Sequence, residues 1–390
     1  MRIAHVIYWL SALGGGPTSV VASLARAQTA AGHKVTVLPA SRSIGPQVLA
    51  PGEYDGLSVL QSPVEHHLRW YNRTVLNEMR RQIRGHDIVH IHANWRYHML
   101  AAAQVASEYR IPFVVSPHGN LDAYSYRQKR YFKLPYFTIF ERKWLNQAAA
   151  IHCCSEMELK EVSAWPIKAR KIVVPNPVED RLLKQPPDFG ALNSQIPQLR
   201  DSHKVISFLA RFNLVKRPEI LVAAFQKLAA EFPDWVLILA GPHEDPQLTS
   251  RLVKDVQTTG LSERVLMPGM IANAAKAALL RRSAIYVQSS IHENFCVSVA
   301  EAMCFGVPCV VTGEVALADE IKSAQAGFVC EGTPDSFARA LRRLITDENL
   351  RKQCGANGAS VAPKFAPEEV ERQFTVEYQQ CIDARRLPVN

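Results

Sequence analysis

The chain has 390 residues, 47% hydrophobic and 21% charged, with a net charge of +9. That composition excludes a disordered chain, the length suits two domains rather than one core, and no apolar run is long enough to span a bilayer. The charge is uneven: residues 1–184 hold 23 Lys and Arg against 13 Asp and Glu, and the remainder holds 22 against 23. A basic first half points to an anionic partner such as a membrane surface, an acidic glycan or nucleic acid, or else to a solvated basic surface.

In chain order, Ile3–Leu10 and Lys34–Leu38 are predicted strands flanking a helix Ser19–Ala31 that ends at Gly32. A single Arg before Ile3–Leu13, with Gly14-Gly15-Gly16 following, reads as a buried strand rather than a signal peptide, and places the chain in the cytoplasm. Asp87–His92 and Ile111–Ser116 are strands around a helix Tyr97–Tyr109, and Ile151–Cys154 and Lys171–Val174 are further strands. Residues 184–203, rich in proline and polar residues, are expected to be an interdomain linker between domains 1–183 and 204–365. Alternation resumes with strands Val205–Leu209, Val236–Leu239, Arg264–Met267, Ala284–Val287 and Cys309–Val311, and helices Glu219–Glu231, Gln247–Thr258 and Asn273–Arg282. Val370, Phe374 and Tyr378 recur every four residues after Pro367, which predicts a closing amphipathic helix within 366–390. The fold class expected is α/β with doubly wound parallel sheets, whose ligands gather at the carboxyl ends of the strands.

Eight cysteines without a Cys-x-x-Cys pair or scaffold spacing read as reduced, buried thiols rather than a disulfide or zinc framework. His90 and His92 would share one face of a strand, but a third ligand is not evident in the sequence, so packing is the expected role.

The most informative segment is His292-Glu293-Asn294-Phe295-Cys296, continuing through Glu301-Ala302-Met303-Cys304-Phe305-Gly306-Val307-Pro308. Glu293 sits in a polar stretch, and Glu301 in a helix closed by Gly306. A helix N-terminus between the carboxylates would offer N–H groups to phosphate oxygens. The alternative for each glutamate is a helix-flank residue that merely favours the helix N-terminus.

This run resembles the Glu-x7-Glu motif of retaining glycosyltransferases of the GT-B fold, in glycosyltransferase family 4. The resemblance covers roughly Ile3 to Tyr378. It implies two Rossmann-like domains facing across a cleft, with the last helix returning to the amino-terminal domain. Arg211 and Lys216, in Arg211-Phe212-Asn213-Leu214-Val215-Lys216-Arg217, match the family's diphosphate-binding pair, although Ala210 and Arg217 stand where glycines are usual. Glu293 would receive sugar hydroxyls, Asn294, Phe295 and Cys296 would offer backbone N–H groups, and Glu301 matches the ribose-binding carboxylate. Gly15 and Gly16 match the opening glycine loop, His118 the cleft histidine, and Pro268-Gly269-Met270 the backbone that holds the base.

The implied activity is transfer of a sugar from a UDP- or GDP-linked donor, as co-substrate and without a cofactor, to a hydroxyl of a glycan or lipid-linked acceptor in polysaccharide biosynthesis. Retention by a front-face route is expected, and metal independence, since there is no Asp-x-Asp motif. Ala123–Phe137 mixes aromatics with Arg127, Lys129, Arg130 and Lys133. That suits an anionic membrane at its inner face, or a helix with inward aromatics and outward cations. A nicotinamide oxidoreductase is disfavoured because no acid follows Val35–Leu38, and nucleic-acid binding because no such signature is present. A nucleotide-sugar epimerase, a phosphorylase or a silent scaffold relative would keep the same fold.

Overall fold

The structure is a computed structural model that describes residues 1–8, 10, 16–39, 57–60, 72–122, 130–184, 186–271 and 273–386. The chain divides into two compact units, Met1–Glu179 with Phe365–Asn390, and Asp180–Lys364.

The first unit is built on a parallel sheet of seven strands, β1 (Arg2–Ile7), β2 (Lys34–Pro39), β3 (Ser58–Val59), β4 (Ile88–His92), β5 (Phe113–Ser116), β6 (Ala150–Cys153) and β7 (Lys171–Val173), in the order β3-β2-β1-β4-β5-β6-β7. Alternation along β1 sends Ile3, His5 and Ile7 to one face and Ala4 and Val6 to the other. The first face packs with Val21, Leu24 and Ala25 of the helix Gly16–Ala30 and with Val370, Phe374 and Tyr378 of the closing helix Pro367–Arg386. The second is covered by Met79 and Ile83 of the helix Arg73–Ile83 and by Met99, Ala102 and Ala106 of the helix Tyr97–Glu108.

The second unit carries β8 (Lys204–Leu209), β9 (Trp235–Ala240), β10 (Val265–Gly269), β11 (Ser283–Gln288), β12 (Cys309–Thr312) and β13 (Gly327–Cys330), again all parallel, in the order β10-β9-β8-β11-β12-β13. Strand order reverses beside β1 and β8. The β1/β4 and β8/β11 ends are therefore the topological switch points where an open α/β sheet leaves a crevice.

Two expectations need correction. Residues 184–203 are not a free linker. Asp188 caps a helix Phe189–Gln195 through the Ala191 N–H (2.8 Å), and Leu192, Ile196 and Leu199 are buried against Val236, Ile238 and Leu279. Their 4- and 3-residue spacing makes an apolar stripe that belongs to the second unit, so the division falls at 179/180 rather than at 183/204. The edge strands β3 and β13 were also unforeseen, since both are only partly buried. All eight cysteines are free thiols, and only Cys304 is more than slightly exposed.

Candidate active site

In the second unit the residues singled out from the sequence gather at the carboxyl ends of the central strands. Arg211 and Lys216 lie in the loop between β8 and the helix Pro218–Ala229, and Glu293 follows β11. Glycine is replaced at both flanks of this loop, for different physical reasons. Arg217 adopts the left-handed conformation itself (φ 51°), and its guanidinium is tied down by the Gly332 carbonyl at 2.7 Å. Ala210 is tolerated because the close approach is made from the other side. A Cβ on Gly241 would lie 1.9 Å from the Ala210 carbonyl oxygen, so the glycine that matters is Gly241, at the end of β9.

Glu293 is fixed from two directions. Its backbone N–H donates to the Glu314 carbonyl (3.0 Å) and its carbonyl accepts from the Ala316 N–H (2.9 Å), forming an isolated parallel bridge to Val315. Its Oε1 accepts from Lys216 Nζ, from Ser290 Oγ at 2.9 Å and from Gln288 Nε2 at 3.3 Å. Both partners of the Lys216–Glu293 ion pair are largely buried, with side chains 14% and 11% exposed. Three donors on one oxygen hold the carboxylate in a single orientation.

Glu301 sits one turn into the helix Val297–Cys304 and is 4% exposed. Its Oε1 accepts from Lys276 Nζ at 2.6 Å. Sequence reasoning missed Lys276. It is the one cation ahead of the last turn in the Ala- and Leu-rich helix Asn273–Arg282, and its only signal is that such a stretch has little other use for a charge. Each glutamate of the pair thus has its own lysine.

Between them, Cys296 takes a left-handed backbone (φ 72°) and ends the approach to the helix without a side-chain cap. First-turn N–H groups and the positive end of the helix dipole therefore point at the Glu293 side. Burial, with Glu293 adding to it, pushes the Cys296 thiol up to about 12, which leaves it protonated and unsuited to nucleophilic attack. Phe295 is 2% exposed and Asn294 half-buried, so Phe295 anchors the turn.

Arg211 is exposed and pairs with Glu244 at 2.8 Å, while Asn213 Nδ2 donates to the other Glu244 oxygen at 2.9 Å. An exposed pair of this kind contributes little and exchanges readily for an anionic ligand. Pro268 and Gly269 close β10, with Gly269 at φ 78° and its carbonyl accepting from the Gly241 N–H (2.8 Å), and Met270 is 41% exposed just beyond. The Pro268–Met270 segment is thus tied to the same glycine that the Arg211 loop packs on.

In the first unit, Gly16 opens the helix Gly16–Ala30, whereas Gly15 lies outside the described residues. His118 follows β5 in a left-handed conformation (φ 52°), and Gly119 has φ 76°. The turn is pinned by buried Glu158, whose two oxygens accept from the Gly119 and Cys154 N–H groups, both at 2.7 Å. His90 and His92 do share a strand face and meet His5, their candidate ligand atoms lying within 4.8 Å of one another. Each nitrogen of the three rings is, however, engaged in a hydrogen bond.

A family model described as glycosyl transferases group 1 matches residues 191–361, and a model of glycosyltransferase family 4 matches residues 14–182. Together they span most of the chain, which belongs to this glycosyltransferase family and has its two-domain α/β GT-B fold. N-acetyl-alpha-D-glucosaminyl L-malate synthase of Bacillus anthracis is 30% identical over 186 residues, 47% of this chain and 47% of that enzyme, so the match spans about half of that relative. Phosphatidyl-myo-inositol mannosyltransferase of Mycobacterium leprae is 25% identical over 97% of this chain and 96% of that protein. The crystal structure of HepE from Anabaena in complex with UDP and glucose superposes with a TM-score of 0.78 at 17% identity, covering 97% of this chain and all of that one, a likeness of fold.

Proposed function

We propose that this glycosyltransferase moves a sugar, with retention of configuration, from a UDP- or GDP-linked donor to a hydroxyl of a glycan or lipid-linked acceptor in polysaccharide assembly. The observation that carries the reading is the pair Glu293 and Glu301, each locked to its own lysine on either side of an uncapped helix N-terminus. The solved relative HepE, which binds UDP and glucose, supports the donor class.

In this reading Glu301 takes the ribose hydroxyls, Glu293 the sugar hydroxyls, and Pro268–Met270 the base. Arg211 exchanges Glu244 for the diphosphate, and Lys216 with the first-turn N–H groups stabilises the charge that grows on it. The bond from the anomeric carbon to the phosphate oxygen breaks and the bond to the acceptor oxygen forms on the same face. The acceptor's proton passes to the departing phosphate oxygen. Every group invoked for the diphosphate is a protein cation or N–H donor, so the reading requires no divalent ion.

Calorimetric titration with UDP, GDP, ADP and NAD in the presence of EDTA tests this. Saturable binding of UDP or GDP, with none for NAD, is expected. Binding that appears only after Mg²⁺ is added would overturn the metal-independent form, and binding of neither UDP nor GDP would overturn the donor assignment.

A membrane-facing role for the first unit is part of the proposal, and its support is local. Among the described residues, Tyr131, Phe132, Leu134, Ile139 and Phe140 are large exposed apolar side chains within ten positions, next to Lys133, Arg142 and Lys143. Packing inward does not account for these aromatics, since Tyr131 and Phe132 are 77% and 80% exposed. Arg127 and Lys129 lie outside the described residues. No helix among the described residues is long and apolar enough to cross a membrane. Co-sedimentation with vesicles containing anionic lipid should fall at least about tenfold in a Phe132→Ser, Lys133→Ser, Lys143→Ser variant, each cation contributing about 1 kcal/mol near such a surface. Unchanged sedimentation would remove the membrane from the proposal.

A further inference from the structure

Five histidines of the first unit form two hydrogen-bonded files, and an oxygen that can only accept sets the direction of each. The Val174 carbonyl can only accept, so His152 Nε2, at 2.7 Å, carries the proton and His152 Nδ1 does not. Ser116 Oγ, 2.6 Å from that Nδ1, must then donate to it. The same oxygen lies 2.6 Å from His90 Nε2 and has only acceptor capacity left, so His90 Nε2 is protonated. His90 Nδ1 therefore accepts from the Tyr378 hydroxyl at 2.6 Å.

A second file begins at Gln28, whose side-chain oxygen can only accept. The oxygen lies 2.7 Å from His5 Nε2, which makes that nitrogen the donor. His5 Nδ1 then accepts from His92 Nε2 at 2.8 Å, and His92 Nδ1 accepts from His118 Nε2 at 3.0 Å.

Every ring of the two files is neutral, and burial ensures it. His5 and His152 are lowered to about 4 and His118 to about 3, and His90 and His92 lie well below the ordinary range, each chiefly through desolvation.

We propose that the file from Gln28 to His118 is a positioning device that holds His118 in its Nε2–H tautomer and so keeps the Nδ1 lone pair as the acceptor for a substrate hydroxyl. A neutral imidazole free to choose would spend part of its time with the proton on Nδ1, where it would offer a donor instead. His5, Gln28 and His92 act through His118 and touch no substrate themselves. The substrate half of the proposal rests on the sugar-transfer reading, and the tautomer half does not.

Long-range ¹H–¹⁵N correlation on the full chain labelled at histidine, at pH 7.5, reads the tautomer directly, with His118 assigned by difference from His118→Asn. In the wild type, Nε2 should show the protonated signature and Nδ1 the unprotonated one. Gln28→Leu removes the oxygen that orients His5, and His92→Phe removes the partner of His118. Both should give His118 in mixed tautomers. If the two are equally populated, the competent fraction halves and kcat drops about twofold at unchanged donor KM.

A wild-type His118 protonated on Nδ1 would overturn the proposal, and so would a tautomer unmoved in both variants. The wild-type spectrum decides even if neither variant folds. A protein that binds no nucleotide but shows the expected tautomer would refute the donor reading alone.

Discussion

Glu293→Gln should lower kcat by about 10²–10³-fold, roughly 3–4 kcal/mol, the scale for losing one preorganised electrostatic contact to the reacting group. The shape of the side chain is kept, but half of its acceptor capacity becomes an NH₂ that can only donate. The sugar hydroxyls and Lys216 are donors too, so the amide must turn one end away from each of them in turn. UDP or GDP carries no sugar, and its affinity should stay within about threefold, since removing a contact made to the sugar leaves binding of the nucleotide largely intact.

The same change leaves Lys216 without its counter-charge in a site where the pair is largely buried. Breaking one side of such a pair costs about 3–5 kcal/mol, whereas removing both charges is often nearly neutral. A Lys216→Gln, Glu293→Gln double variant should therefore recover most of the thermal stability lost in the single one while remaining inactive. Recovery of activity with stability would mean that the pair is only a structural brace. Full activity in Glu293→Gln would dismiss its role with the sugar.

The second large effect is on stability in mild acid. Six histidines, the buried His5, His90, His92, His98 and His152 and the half-buried His118, are held below their ordinary titration range, mainly by desolvation. Unfolded, each takes up a proton near pH 6.5. Between that value and the lowered one in the folded state, the unfolded chain binds more protons, so stability falls as pH falls. It is intact above about pH 7, and each group removes about 1.4 kcal/mol per pH unit below 6.5. For a domain with about 5–15 kcal/mol in hand, several such groups bring unfolding to about pH 5. Urea titrations at pH 7.5, 6.5 and 5.5 measure it, and a midpoint that stays level across that range would contradict the neutral state assigned to these rings.

The alternation of strands and helices was legible because the central parallel strands are buried on both faces and so appear as short apolar runs. The Arg211 loop and the Glu293–Glu301 pair were legible because they are local in sequence. What sequence could not reveal was pairing at a distance. Lys276 reaches Glu301 from 25 residues upstream, and Gly241, 30 residues beyond Arg211, provides the close approach expected of position 210. His90 and His92 stood out as neighbours on a strand, but their hydrogen-bond partners come from β1, β5, the turn after β5 and the closing helix. The helix at 189–195 was masked by prolines at 186, 187 and 197, although its Asp188 cap and the Leu192, Ile196, Leu199 spacing were present.

The chain leaves its first unit at Glu179 and comes back to it at Phe365. On the ribosome, then, the second unit is fully synthesised before the first can be completed. At about 5–20 residues per second, roughly 10–40 s pass between Glu179 and Tyr378. Throughout that interval the sheet of the first unit lacks the cover that Val370, Phe374 and Tyr378 provide, and His90 lacks its hydroxyl partner. The half-made protein is a folded carboxy-terminal domain tethered to an open apolar face, the species on which a nascent-chain chaperone would act. A transcript cut short near residue 365 would leave it in that state permanently.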